Sequence, residues 1–101
     1  MYLVQILLPT ADNEGRPFDD ELLADVQRTL TDKFGGVTAH LRAPAKGVWS
    51  HQGKHAVDDI ATVEVMTPDL DRAWWKEFRA RLERELRQEQ IVIRVQTMDL
   101  I

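Results

Sequence analysis

The residues able to do chemistry in this chain are few, and most sit at strand-like spacing. His40 and Arg42 alternate along VTAHLR, Glu64 lies in IATVEVM, and Gln5 and Arg94 occupy two further apolar runs. An imidazole titrates near neutral pH. Beside a carboxylate in an enclosed space it acts as a general base. His40 and Glu64 are therefore the candidate catalytic pair. Arg42 and Arg94 offer guanidinium forks for an anion, and Gln5, Gln96 and Trp49 complete the candidate ligand-binding set. The plainer alternative is a polar network at an interface, each group satisfied by a neighbour.

His51 and His55 are four residues apart, with Asp58 and Asp59 close behind. On a helix that spacing chelates a metal. Here Gly53 lies between them and the stretch reads as a turn, so no metal site is expected. The two histidines are weak candidates for a surface zinc or nickel site. Asp58 and Asp59 have the look of paired acid/base carboxylates. Two acids at a strand entrance are more simply a solvated turn.

These residues must be positioned by the elements around them. Tyr2–Leu8 is almost wholly apolar, as befits a strand buried on both faces at the centre of a sheet. A helix follows, with Asp19 as N-cap, Asp20 and Glu21 in its first turn, and Leu22, Val26, Leu30 and Phe34 in one stripe. Gly35 and Gly36 stop it, one of them left-handed. Val37–Arg42 alternates as a strand, and Pro44 confines it to an edge. Gly47–Trp49 resumes extended structure before a turn at His51–Lys54. Ile60–Met66 is the third strand. Thr67 as N-cap and Pro68 at the first position open a second helix. Its stripe is Leu70, Trp74, Phe78, Leu82 and Leu86, which leaves Trp75 on the flank. Glu77–Arg81 and Glu83–Arg87 have the spacing of surface ion pairs. Ile91 to about Met98 is the last strand.

The order β-α-β-β-α-β, with right-handed crossovers, predicts a ferredoxin-like α+β plait. Its antiparallel four-stranded sheet has the order 4-1-3-2, with both helices on one face. The opposite face carries Leu3, Gln5, Leu7, Thr38, His40, Arg42, Ile60, Thr62, Glu64, Met66, Val92, Arg94 and Gln96. That mixture is too apolar to be left to water. A homodimer through this face is expected, enclosing any small-molecule site between its copies.

The 101 residues are expected to form one domain, 1–101. The absence of cysteine excludes disulfides, thiolate metal sites and thiol nucleophiles, and fits a cytoplasmic location. The first residues, MYLVQILLPTADNEG, lack a basic leader and read as a strand. No apolar run reaches membrane-spanning length, so no membrane partner is expected. The net charge is −4 and neither half is basic. The open face also lacks the aromatic residues on which RNA-binding plaits stack bases, so no nucleic-acid partner is expected. Neither a phosphate-cradling glycine loop nor a nucleophile elbow is present, and no cofactor is implied.

Gly35-Gly36-x-Thr38, Gly47-x-Trp49, Gly53 and the run Gln88-Glu89-Gln90-Ile91 together resemble a family of small uncharacterised bacterial and phage-associated proteins. The resemblance covers most of the chain after Phe34. It implies a plait-like α+β fold and assigns no activity to any residue. The sequence thus leaves two readings. The first is a non-catalytic binding or assembly module that dimerises through its open sheet face. The second is a dimeric α+β barrel-type binding protein or enzyme that uses His40 and Glu64 for proton transfer.

Overall fold

Alternation of side chains across a strand decides which residues share a face, and pairing of strands decides which share a row. In the computed structural model four strands and two helices follow in the order β1 (Tyr2–Pro9), α1 (Asp20–Phe34), β2 (Thr38–His51), β3 (Lys54–Thr67), α2 (Arg72–Glu85) and β4 (Val92–Thr97). The structure describes the backbone of residues 1–51 and 54–101. Within β2 and β3 it describes side chains at 38–40, 48 and 59–67. The sheet order is β2-β3-β1-β4, with antiparallel pairing throughout. This is the expected plait, with β1 and β3 central and β2 and β4 at the edges.

Both helices pack on one sheet face. Val4, Ile6 and Leu8 of β1 and Ala61, Val63 and Val65 of β3 are buried there. Val26 and Leu30 of α1 meet them, with Trp75, Phe78 and Leu82 of α2 and, just beyond its end, Leu86 and Ile91. Each such aliphatic side chain contributes about 1.5–3 kcal/mol on burial.

Helix α1 follows the sequence reading closely. Asp19 caps it by accepting from the Glu21 amide at 3.0 Å. Gly35 ends it at φ 82°, its N–H bonded to the Thr31 carbonyl at 2.8 Å. A left-handed residue here closes the last turn, and glycine adopts that conformation without steric cost.

Helix α2 departs from the reading in three ways. Its N-cap is Asp71, not Thr67. The Asp71 carboxylate accepts from the Trp74 amide at 3.1 Å, while the Thr67 hydroxyl donates to the Asp69 carbonyl. Four-residue steps also overrun the 3.6-residue turn by about 40° each. The buried line is therefore Trp75, Phe78, Leu82 and Leu86, and Trp74 is the half-buried flank. The roles expected of the two tryptophans are exchanged. Finally, Arg81 pairs forward with Glu85 at 2.9 Å and across to Asp25 of α1 at 2.8 Å, in place of Glu77. Glu83 turns instead to the chain after the helix, where it accepts from the Ile91 amide at 2.9 Å.

The exit from α2 is a Schellman turn. Gln88 N–H donates to the Glu83 carbonyl and Arg87 N–H to the Arg84 carbonyl. Arg87 holds the left-handed position at φ 53°. The Asn13 amide bonds the Arg87 carbonyl at 3.3 Å and so ties the β1–α1 loop to this turn. Within that loop Asp12 accepts from the backbone amides of Glu14 and Arg16 at 2.9 Å. The hydrogen bond from Arg16 is the largest cause of its lowered carboxyl pKa.

The second and third strands are longer than expected. β2 runs on past Pro44 to His51, with an irregularity between His40 and Ala45. Proline has no N–H for a ladder, and an edge strand with a bulge tolerates it. β3 begins at Lys54, not Ile60. β1 accompanies β3 only from Ile60 to Thr67, so from Lys54 to Asp59 β3 pairs with β2 alone.

Candidate functional site

The face of the sheet away from the helices is arranged in rows. Gln5 stands opposite Glu64 on one side and Arg94 on the other. Leu3 stands between Met66 and Gln96, and Leu7 between Thr62 and Val92. His40 pairs with Thr62, and Thr38 pairs with Glu64, so His40 is a diagonal neighbour of Glu64.

This placement makes a polar line across all four strands. Arg94 Nε donates to Gln5 Oε1 at 2.8 Å. Gln5 Nε2 donates to Glu64 Oε1 at 2.8 Å. The other Glu64 oxygen lies 3.8 Å from His40 Nε2, an ion pair only while the imidazole is protonated. The orientation of the Gln5 amide is dictated by its neighbours. Its oxygen must face the guanidinium, which only donates, and its NH₂ must face the carboxylate, which only accepts.

Four sequence-selected residues, Gln5, His40, Glu64 and Arg94, are thus brought together. Gln5, a candidate ligand contact by sequence, serves as the link between the charged groups. Its residue type alone does not signal that role, since the link depends on Glu64 and Arg94 standing on either side of it. The Glu64 side chain is 25% exposed and that of His40 56%, so the line is open to solvent at its β2 end. Gln96 is exposed one row away, next to Leu3. The side chains of Arg42, Trp49, His51, His55 and Asp58 lie outside the described residues. Among the described residues no group of three or more histidines and carboxylates is placed to hold a metal ion. No helix of the described residues is long and apolar enough to cross a membrane.

Apolar side chains border the polar line. Leu3, Leu7 and Ile60 are partly exposed, and Met66 and Val92 are 54% and 45% exposed. Chemically the arrangement offers a carboxylate held by an amide, an imidazole within reach of it, and an arginine that commits only Nε. The remaining guanidinium N–H groups have no partner among the described residues and can receive an anion.

Two clefts lie elsewhere. One, of about 470 Å³, runs between the helices past Thr29, Trp74, Phe78, Arg81 and Arg84. The other, of about 140 Å³, lies between α2 and β4 beside Leu70, Trp75, Ile93 and Val95. Neither is lined by the residues of the polar line.

No family model matches the chain, and no curated protein sequence matches it. Solved structures do share its architecture. A phage SAM lyase in complex with S-methyl-5'-thioadenosine superposes with a TM-score of 0.61 at 12% identity, over 94% of this chain and 79% of the other. A phage SAM lyase in the apo state gives 0.60 at 11% identity, over 94% and 78%. At these identities the likeness is one of fold.

Proposed function

We propose that this protein is a binding and assembly module that associates through its open sheet face, in the first instance with a second copy of itself. The observation that carries the reading is the face itself. A polar line whose Gln5 and Glu64 are hydrogen-bonded within one chain is bordered by exposed Met66 and Val92 and by partly exposed Leu3 and Leu7. Covering such a face brings apolar burial without stranding Gln5 or Glu64. A cytoplasmic setting fits a chain without cysteine.

A second reading places a small-molecule site between the copies, with His40 and Glu64 moving a proton and Arg94 holding an anionic group. It is favoured by the fold shared with a lyase that carries S-methyl-5'-thioadenosine. One experiment separates the two. Sedimentation velocity of the purified protein should give an assembly larger than 11.7 kDa. Calorimetric titration with S-methyl-5'-thioadenosine should give no heat on the assembly reading. A saturable heat abolished by His40→Leu, with sedimentation unchanged, selects the second reading. A monomer at all concentrations refutes the first.

A further inference from the structure

Beyond Ile60 the last part of the β2–β3 pair leaves the sheet. Lys46–His51 and Lys54–Asp59 remain in register, from Lys46 opposite Asp59 to His51 opposite Lys54. β1 has ended its pairing with β3 at Pro9 opposite Ile60. At its root the ribbon is held by Thr10, whose N–H and hydroxyl both bond the Asp59 carbonyl. At about 3.3 Å per residue the ribbon extends roughly 20 Å past the sheet. A two-stranded ribbon is marginal in water on its own. Val48, on this ribbon, is 65% exposed.

Area supplies the second half of the argument. Four strands at about 4.8 Å spacing and about 20 Å in length give the open face roughly 400 Å² in plan. A standard interface takes about 800 Å² from each partner. One face of the ribbon, about 10 Å by 20 Å, and the equal patch that receives the partner's ribbon together add about 400 Å². The open face alone falls short of a stable interface, and face and ribbon together reach it.

We infer that the ribbon is a clasp that lies against a second copy of this chain, extending the association proposed for the open face. The inference rests on that proposal. It makes the assembly reciprocal, each copy presenting a sheet face and receiving the partner's ribbon.

The test shortens the clasp. Because Lys46 and Asp59 are directly opposed, replacing residues 47–58 by Asn-Gly closes the hairpin at its root with a two-residue turn suited to the strand twist. Val48→Glu is the companion point variant, at a side chain already exposed in the single chain. Sedimentation velocity across a dilution series should show the shortened protein as a monomer. Val48→Glu should weaken assembly at least tenfold, with far-UV circular dichroism retained in both. If both variants assemble as the parent does while Leu7→Arg is monomeric, the clasp is refuted and the open-face association stands. If Leu7→Arg also assembles as the parent does, the open-face reading falls with it.

Discussion

Replacing Leu7 by arginine tests the open face most directly. Leu7 stands between Thr62 and Val92 and is partly covered already. Full burial of a leucine side chain contributes about 1.5–3 kcal/mol, so the part still to be covered in an interface is worth about 1 kcal/mol per copy. A symmetric interface contains the position twice, which makes about 2 kcal/mol. Each arginine must also be desolvated or must force the faces apart, which costs at least another kcal/mol or so per copy. The total, about 4 kcal/mol, is a loss of roughly a thousandfold in the dissociation constant. In the separate chain the same arginine lies along the open surface with its head in water, so folding should change by no more than about 0.5 kcal/mol. The assay is sedimentation velocity over a dilution series, with circular dichroism as the check on folding. The expected result is a folded monomer at concentrations where the parent is assembled. An unchanged sedimentation coefficient would refute the reasoning.

Glu64→Leu should cost about 1 kcal/mol in urea denaturation, because it leaves the Gln5 amide donor without its acceptor; a variant as stable as the parent would mean the polar line does not stabilise the sheet. Arg87→Gly should raise stability by about 1 kcal/mol, since it removes a left-handed non-glycine residue from the Schellman turn. Gly35→Ala should lower stability by a similar amount, about 1 kcal/mol, through strain alone, since beyond its chain neighbours no atom lies within 4 Å of the added carbon. Thermal melts decide both, and a shift of the opposite sign in either would overturn the account of the helix ends. The Asp12 carboxyl pKa lies below 3.8 in the folded chain. Its contribution is therefore present above the ordinary aspartate range and is lost as the pH falls through the lowered value. Asp12→Asn should flatten the acid limb of the urea midpoint below the ordinary aspartate range, and an unaltered limb would show that the loop does not report on folding.

Some features were legible because local chemistry decides them. The cap at Asp19, the stop at Gly35, the central place of Tyr2–Leu8 and the edge place of the strand with Pro44 each follow from one residue type at one position. The candidate residues His40, Glu64, Arg94 and Gln5 were also legible as a shared face, since strand alternation is strict. Other features lacked a local signal. The left-handed turn at Arg87 carries neither glycine nor asparagine, and it is held by bonds to Glu83 and Arg84 and by Asn13 from a distant loop. Asp71 is the cap because the helix begins at Arg72, which puts the Trp74 amide within reach of the Asp71 carboxylate and leaves Thr67 in the preceding turn, its hydroxyl donating to the Asp69 carbonyl.

The α+β order, the two faces of the sheet and the set of polar residues on the open one follow from periodicity and end signals, which act over a few residues. The remaining features arise from contacts between residues far apart in the chain. Register, which depends on strands far apart in the chain, put Gln5 between Glu64 and Arg94 and joined three polar groups into one line. The true 3.6-residue turn, read against the sheet beneath it, chose Trp75 over Trp74 for the core. The different lengths of β1 and β3 left a ribbon beyond the sheet, since a strand's free edge is set by where its neighbour stops.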